Sequence, residues 1–533
     1  MGDFFLRLKR WDVWKDPKGW AGAIVSILIA AVYFAQVFSV QGFIGGSSSY
    51  WHTQVDDATE ALSGLTAFRS EPWGLPLLRI NSMNWPTGTT VPFTDAIPLL
   101  ALVVKLVGPM APTNPFGIWV LSCFLFMGLA SWWTIKQTGK CTWASLVIAV
   151  CLCVEMPALT NRLGHLSLMA HFLIVLALGL YFRDQKSRKV SVMGWAVLVT
   201  AAFYVNFYLT AMVLSIMLAS AGDLARHAHL RDVWRYVLTL LPVMVSFPLM
   251  YGSGFGSSLK EGGFNFFSMN LLAPITGGSL IPAYGLGTIG QYEGYNYLGL
   301  GLLGGAVALA FTRSERKGRE IGAALLCVCV GLFFYAMSND IYVGTWHLAH
   351  WNIPRFLVDL TDTFRSSGRF FWPVAYVTAF WVALSLTKPS VRTLLAAVAI
   401  LGLQWVDLSS VRLVANVASR RPPQMPADVG AWSTLLTGVN TIYFYPKFRC
   451  GKADHSEILP IQQIAATLQI KMSTGYISRY VPDCNAEASE TATADLKTSA
   501  FVYSSSDFTL HDAKQHAPPD VICRQQNQWI LCR

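Results

Sequence analysis

The acidic side chains best suited to acid–base chemistry lie in long loops between apolar segments. Asp56 and Asp57 are adjacent in the first of these loops, residues 41–115. One carboxylate of such a pair can act as a general base while the other orients it or binds a metal ion. The alternative is a helix N-cap, a position that favours Asp. Glu293 ends the third loop and suits a metal ion or a sugar hydroxyl, or is an interfacial Glu beside tyrosines. The candidate catalytic residues are Asp56, Asp57 and Glu293.

Basic side chains in the other loops suit an anionic substrate. Arg162 can pair with a phosphate or with the Asp56–Asp57 pair, and His165 can donate a hydrogen bond or bind a metal ion. Arg365 and Arg369 are four residues apart and share one face if the segment is helical. Two guanidinium groups there suit a phosphate, and the alternative is a pair that reaches lipid headgroups. The candidate substrate-binding residues are Arg162, His165, Lys260, Tyr292, Arg365 and Arg369.

A second histidine, His171, lies six residues after His165. On one helix the two side chains would point in different directions, which argues against a shared metal site. His171 is equally well explained as a hydrogen-bonded histidine between helices. Ionisable groups at the membrane edge are costly, which favours a function for at least one of the two.

The unusually apolar composition of the chain indicates which kind of structural element must position these residues. Of the 533 residues, 53% are hydrophobic and only 13% are charged, and the mean hydropathy is +0.43. Soluble domains carry roughly 25% charged residues. This composition predicts a multi-pass membrane protein and excludes a soluble enzyme, a disordered chain and a fibrous repeat.

Apolar runs of sufficient length predict eleven transmembrane helices. A further run, Ile97–Met110, is short, contains Lys105 and is bracketed by Pro98 and Pro109, so we interpret it as a juxtamembrane helix in the first outer loop. The predicted spans are 20–40, 116–135, 142–157, 166–182, 190–206, 207–222, 236–251, 296–312, 320–338, 370–387 and 392–408.

The distribution of positive charge predicts the orientation. The segment before the first span and five short loops on the same side contain half of the 40 lysines and arginines. By the positive-inside rule this side is cytoplasmic, and the uncleaved amino terminus lies there. An odd number of spans then places the carboxyl terminus outside. The net charge of +10 is thus a matter of topology and gives no reason to expect a nucleic-acid partner.

The last part of the chain, residues 409–533, has the pattern of a small α/β domain outside the membrane. Strand-like runs occur at Thr441–Phe448, Phe501–Ser504 and Val521–Leu531, and Ile458–Ile470 has helical spacing. Its four cysteines suggest two disulfides. We favour Cys523–Cys532 with Cys450–Cys484, although the sequence does not exclude the other two pairings. The remaining 1–408 forms the predicted all-α membrane domain.

Several motifs, spread over residues 50–375, resemble those of the GT-C superfamily of membrane glycosyltransferases, and within it an uncharacterised bacterial family of multi-pass proteins. The order of a first span, a long outer loop opening with an acidic pair and a juxtamembrane helix is also similar. The residues that carry the resemblance are Asp56-Asp57, Phe93-Thr94-Asp95-Ala96-Ile97-Pro98-Leu99, Arg162-Leu163-Gly164-His165, Ser268-Met269-Asn270-Leu271, Gln291-Tyr292-Glu293-Gly294 and Phe364-Arg365-Ser366-Ser367-Gly368-Arg369.

The resemblance implies transfer of a hexose or pentose, with inversion, from a polyprenyl-phosphate carrier on the periplasmic face of the inner membrane. The acceptor would be a glycan, a lipid-linked molecule or a protein. Asp56 or Asp57 would be the base, and Arg365 and Arg369 would hold the carrier phosphate. A divalent cation, Mg²⁺ or Mn²⁺, would find ligands among Asp56, Asp57, His165 and Glu293. The second loop lacks the acidic ligand common in that superfamily, so metal dependence stays open.

Two alternatives remain at this stage. The first is a lipid-linked sugar transporter or flippase, although the sequence shows no internal repeat and its polar residues cluster in loops. The second is a non-catalytic GT-C-like scaffold whose carboxyl-terminal domain binds a glycan.

Overall fold

The computed structural model describes residues 15–46, 50–53, 57–226, 234–252, 262–311, 321–388, 390–420, 428–479 and 481–533. Up to residue 420 the described chain is mostly helical. Its longer helices are α1 Ala21–Val37, α2 Asp57–Ser70, α3 Pro98–Val107, α4 Phe116–Thr138, α5 Trp143–Val154, α6 Phe172–Ser187, α7 Val192–Val205, α8 Phe207–Ala225, α9 Leu241–Tyr251, α10 Leu300–Phe311, α11 Ala323–Met337, α12 Trp372–Ser385, α13 Val391–Asp407 and α14 Ser409–Arg420.

Shorter turns of helix connect these elements. The short α-helical turns are Val40–Ile44, Tyr50–Thr53, Pro157–Thr160, Arg235–Leu238 and Val358–Thr363. The 3₁₀ segments are Val91–Thr94, Gly108–Met110, Leu166–Met169, Ile289–Gly294, Arg355–Leu357 and Ser367–Phe371. Several of the predicted site residues lie on or beside these short segments.

The apolar helices pack against one another as in a membrane bundle. Helix α4 packs against α1 and α6, and the Thr134 hydroxyl on α4 donates a 2.8 Å hydrogen bond to the Val175 carbonyl of α6. Helices α7 and α8 are joined by one extended residue, Asn206, whose side chain caps α8 by accepting from the Tyr208 N–H at 2.8 Å. This tight connection holds the ends of α7 and α8 together.

Each of the eleven predicted spans overlaps a helix of the structure. Within the described residues, four helical stretches are long and apolar enough to cross a membrane: Phe116–Thr138, Trp143–Thr160, Leu166–Ser187 and Phe207–Ala225. A fifth is reached if α13 and α14, which bend by 46°, count as one span. The membrane character is therefore supported, and the count of eleven spans stays a prediction. The predicted juxtamembrane run contains α3.

The all-α prediction for the membrane domain is wrong in two loops, where short antiparallel hairpins form. Strands β1 Arg79–Ile80 and β2 Thr89–Thr90 pair in the first loop. Strands β3 Asp340–Val343 and β4 Trp346–His350 pair further along the chain. These strands are too short or too polar to stand out as runs of alternating apolar residues.

The carboxyl-terminal part has the predicted α/β character. Its five described strands are β5 Thr441–Tyr445, β6 Lys471–Met472, β7 Ser499–Ser504, β8 Cys523–Gln526 and β9 Trp529–Cys532. They form one mixed sheet in the order β6-β5-β7-β9-β8. Both favoured disulfides, Cys450–Cys484 and Cys523–Cys532, are present. The helices are α15 Val429–Leu435, α16 His455–Leu468, α17 Glu487–Thr493 and α18 Leu510–His516.

This domain fastens the first loop, in which α2 begins with Asp57. The backbone N–H of Met472 donates to the Ser82 carbonyl at 2.8 Å, and the N–H of Ser478 donates to the Phe93 carbonyl at 2.9 Å. A buried hydrogen bond of 2.8 Å also joins the Gln462 amide of α16 to the Ser63 hydroxyl of α2. The loop is thus held from both sides, by the helices and by the carboxyl-terminal domain.

Candidate functional site

Glu293 lies at the centre of a cluster of charged side chains drawn from five separate segments. Its Oε2 atom accepts hydrogen bonds from Arg162 and, at 2.9 Å, from Nε of Arg369, whose Nη2 atom forms an ion pair with the same oxygen at 2.9 Å. Its Oε1 atom is 2.9 Å from Nε2 of His165. The side chains of Glu293 and Arg162 are 3% and 2% exposed, so this carboxylate is paired rather than solvated. We call Glu293, Arg162, Arg369, His165, Asp57 and Asp95 the Glu293 cluster.

The segments that carry Glu293 and Arg369 cross at two glycines. A Cβ atom on Gly368 would lie 2.6 Å from Cα of Gly294, so only glycine permits this approach. The Asn296 amide donates to the Gly294 and Gly368 carbonyls at 3.1 and 2.8 Å and ties both segments together. The crossing brings the carboxylate and the guanidinium group into contact.

His165 connects Glu293 to two carboxylates of the first loop. Its Nδ1 atom is 2.8 Å from Oδ2 of Asp57 and 3.6 Å from Oδ2 of Asp95. Asp95 follows the 3₁₀ turn Val91–Thr94 in the left-handed conformation, with φ of 52°. At this end of the cluster the side chains of His165, Asp95 and Asp57 are 23%, 30% and 34% exposed. The cluster is therefore closed around Glu293 and open around Asp57.

The neighbours of each group set its protonation. Burial would raise the pKa of Glu293, but the charges of Arg369 and Arg162 hold that pKa well below its ordinary value. Burial opposes ionisation of Asp57 too, yet the hydrogen bond from His165 lowers the pKa of Asp57. At Asp95 burial dominates and raises the pKa. Burial would lower the pKa of His165, but its carboxylate partners raise that pKa well above 6.5. At neutral pH, Glu293 and Asp57 are anionic and His165 is cationic.

A divalent cation fits the open end of the cluster if its binding displaces the proton from Nδ1 of His165, because only a neutral imidazole binds a metal ion. Three side chains, those of Asp57, Asp95 and His165, each offer one ligand atom, and these three atoms lie within 4.8 Å of one another. Oδ2 of Asp95 is buried and lies 3.6 Å from Nδ1 of His165, but it has no hydrogen-bond partner among the described residues, so it is available as a ligand atom. Carboxylate oxygen with one imidazole nitrogen is a donor set suited to Mn²⁺ or Zn²⁺, while Mg²⁺ prefers oxygen alone.

A largely apolar cavity of about 630 Å³ adjoins this open end. Phe203 and Phe207, at the joined ends of α7 and α8, line it together with Phe247 of α9, and Asp95 reaches it from the first loop. Tyr208 lines the same cavity and lies under Arg369, whose guanidinium carbon is 4.7 Å from the ring centroid. The cavity thus joins an apolar wall to the charged cluster.

The structure brings together most of the predicted site residues but not all. Asp57, Arg162, His165, Arg369 and Glu293 meet in the cluster, whereas Asp56 and Lys260 lie outside the described residues. Tyr292 contributes its backbone carbonyl, which accepts from Arg162 at 3.2 Å, while its side chain is 56% exposed.

Arg365 is placed differently from the expectation that it shares a helix face with Arg369. The α-helical turn ends at Thr363 and the 3₁₀ turn begins at Ser367, so Arg365 lies between them. Its guanidinium group packs 5.2 Å from the Phe267 ring centroid. His171 is a buried histidine as in the simpler interpretation, hydrogen-bonded to the Tyr376 hydroxyl at 2.8 Å.

Asp95 and Tyr208 are site residues that sequence reasoning missed. Asp95 lies within a motif of the first loop, but we assign it no catalytic or binding role from the sequence. Its acidic side chain three residues before Pro98, at the start of α3, was the available signal. The sequence gives no comparable signal for Tyr208. This residue lies two positions after Asn206, and its place beside the cluster becomes evident only when α7 and α8 are paired.

The chain has apolar helices, a charged cluster at their ends and a small α/β domain after them. These features are typical of helical membrane proteins with an appended polar domain. Residues 27–409 match the model of a domain of unknown function, DUF6311, and residues 431–533 match the DUF6311 C-terminal domain. The chain belongs to the DUF6311 family. No curated protein matches the sequence.

Two solved structures are similar to this chain. The first is the arabinofuranosyltransferase AftD from Mycobacteria, at 15% identity and a TM-score of 0.48 over 95% of this chain and 37% of that one. The second is the archaeal oligosaccharyltransferase AglB from Archaeoglobus fulgidus, in complex with an inhibitory peptide and a dolichol-phosphate. It has 13% identity and a TM-score of 0.41 over 91% of this chain and 69% of that one. Both TM-scores are below 0.5, so neither similarity assigns an activity to this chain.

Proposed function

We propose that this protein is a glycosyltransferase that moves a sugar from a polyprenyl-phosphate carrier to a glycan, lipid-linked or protein acceptor at the periplasmic face of the inner membrane. The observation that carries the proposal is the junction between the Glu293 cluster and the apolar cavity. An isoprenoid chain needs an apolar channel between helices, and its phosphate needs cations at the end of that channel. The sequence motifs that resemble GT-C enzymes supply most of this cluster.

Asp57 is the base in this proposal. Its carboxylate is anionic at neutral pH and is the most exposed of the three acidic groups, so an acceptor hydroxyl can reach it. The hydroxyl oxygen bonds to the anomeric carbon as the bond from that carbon to the carrier phosphate oxygen breaks. The hydroxyl proton goes to Asp57, and the electron pair leaves with the phosphate. A single displacement of this kind inverts the anomeric configuration.

Glu293 orients the site rather than accepting the proton. Both of its oxygens are occupied, one by the two arginines and the other by His165. It thereby fixes Arg369 over the ring of Tyr208, a residue that lines the cavity. Preorganised cations that face a departing phosphate stabilise the charge that develops in the transition state.

A divalent cation held by Asp57, Asp95 and His165 would supply further positive charge for the carrier phosphate. The side chains themselves already provide an oriented carboxylate and two guanidinium groups. The metal is therefore an addition to the proposed site, and its removal by a chelator measures how much it contributes.

Transfer of labelled sugar by the purified full chain tests the proposal. Short-chain polyprenyl-phosphate pentoses and hexoses serve as donors, with glycan and peptide acceptors. We expect transfer by wild type and by the matched control Asp520→Asn, which changes an exposed Asp of the carboxyl-terminal domain. Asp57→Asn should lower transfer by about 10²–10⁴-fold, the usual contribution of a general base.

The outcomes separate the alternatives. Transfer that persists undiminished in Asp57→Asn would remove the base assignment, and Asp56→Asn then shows whether the neighbouring carboxylate is the base. Movement of the labelled carrier across liposome membranes without any transfer would contradict the enzyme proposal and favour a transporter of lipid-linked sugars.

A further inference from the structure

The hairpin formed by β3 and β4 carries a second cluster of potential metal ligands. His347 and His350 are three residues apart and would point to opposite faces of a regular strand. A bulge interrupts the pairing between Ile341 and Tyr342, so that His350 lies opposite Asp340 and His347 lies opposite Tyr342. Since Asp340 and Tyr342 share one face of β3, the bulge turns both histidines to that face. We call Asp340, His347 and His350 the hairpin cluster.

The three side chains converge on one point. Nε2 of His347 lies 2.9 Å from Oδ1 of Asp340, and Nδ1 of His350 lies 2.6 Å from the same oxygen. The other oxygen, Oδ2, accepts a 2.9 Å hydrogen bond from the Asn265 amide. Asn265 therefore fixes the carboxylate with Oδ1 turned toward the imidazoles, as an outer partner orients a metal-binding carboxylate.

We propose that the hairpin cluster binds a zinc-type divalent cation through Asp340, His347 and His350. One ligand atom from each lies within 4.8 Å of the other two. Two imidazoles with one carboxylate form a donor set that suits Zn²⁺ and neighbouring transition metals. The histidine side chains are 45% and 50% exposed, so an ion reaches them from solvent and water completes its coordination.

The hairpin is tied to the segment that carries Glu293. The N–H of Gly344, in the hairpin turn, donates to Oδ1 of Asn270 at 2.9 Å. The amide of Asn270 in turn donates to Oε1 of Gln291 at 3.0 Å. Gln291 lies two residues before Glu293, in the same 3₁₀ segment. A metal ion in the hairpin would therefore order a loop that is hydrogen-bonded, through Asn270, to the 3₁₀ segment that carries Glu293.

Zinc binding by the purified full chain tests this site independently of any transfer activity. The polyhistidine tag is removed, resident metal is stripped with a chelator, and Zn²⁺ is titrated by calorimetry with metal content measured after dialysis. We expect His347→Ala/His350→Ala to lose one equivalent of zinc, and Asn265→Ala to bind that equivalent about 10–100-fold more weakly. The matched control His455→Ala/His511→Ala removes two exposed histidines of the carboxyl-terminal domain and should retain it.

X-ray absorption at the zinc edge of the wild-type protein gives a test that needs no variant. The hairpin cluster provides two imidazoles to one ion, whereas the Glu293 cluster provides one. A zinc ion with two histidine ligands agrees with the proposal. Zinc with a single imidazole, loss of the equivalent only in His165→Ala, or no bound zinc in wild type would overturn it and leave a purely hydrogen-bonded hairpin.

Discussion

The Glu293 cluster and the hairpin cluster are both built from histidines and carboxylates, but they differ in burial and in their cationic partners. Glu293 is 3% exposed and is paired with two arginines. The histidines of the hairpin cluster are about half exposed and share one aspartate that an amide orients. Burial makes the charges of Glu293, Arg162 and Arg369 depend on one another. In the hairpin cluster Asp340 is 11% exposed, but water screens its two histidine partners.

The difference explains why similar residues suit different chemistry. In the Glu293 cluster, guanidinium groups and a cationic imidazole surround fixed carboxylates beside an apolar cavity, an arrangement suited to an anionic lipid carrier. In the hairpin cluster, two solvent-exposed imidazoles meet at one carboxylate oxygen, an arrangement suited to a metal ion. The charge around each group, rather than its residue type, therefore decides its role.

The largest expected difference between the clusters is in stability. Glu293→Gln leaves Arg162 and Arg369 buried without their anion, and removing one partner of a buried ion pair costs about 3–5 kcal/mol. Asp340→Asn removes a carboxylate that is itself 11% exposed, but its histidine partners are about half exposed and stay solvated, so the variant should cost less, about 1 kcal/mol. Melting midpoints of the two variants in detergent give the comparison. Equal decreases would show that the Glu293 cluster is not a buried network.

A smaller effect is expected for Arg369→Lys. Lysine keeps the charge but loses the planar fork that gives Glu293 two contacts. A hydrogen bond to a charged group contributes about 1.5–3 kcal/mol, so the variant should be destabilised by roughly that amount and bind carrier more weakly. Arg365→Lys is the control, because Arg365 packs against Phe267 instead. An equal loss of carrier binding in both variants would contradict the distinct role of Arg369.

The smallest expected effect concerns pH, measured with a chelator present. The pKa of His165 is raised by folding, so its stabilising effect is complete below the unfolded value of about 6.5 and is lost as pH rises through the folded pKa. Wild type should therefore lose stability relative to His165→Gln over that alkaline range. His350→Gln should alter the profile less, since His350 is half exposed. If the dependence of stability on pH changed in His350→Gln and not in His165→Gln, the expected difference between the two clusters would be contradicted.

The sequence predicts the local features of this molecule better than its long-range contacts. Long apolar runs form helices wherever they occur, and Cys523 and Cys532 pair because their strands face each other across a hairpin. The contact of Asp95 with His165 depends on how the first loop folds against a segment 70 residues later. The sequence spacing of His347 and His350 does not reveal the bulge that places them on one face. On a regular strand that spacing would put the two side chains on opposite faces.

The central claim is that the Glu293 cluster and its cavity bind the polyprenyl-phosphate carrier. Photo-crosslinking with a diazirine-bearing polyprenyl phosphate, followed by peptide mass spectrometry, tests that position directly. We predict labelling within residues 92–98 and 203–214, suppressed by unlabelled polyprenyl phosphate and not by the phosphate-free prenol. Labelling that avoids both segments, or that the prenol suppresses equally well, would contradict the claim.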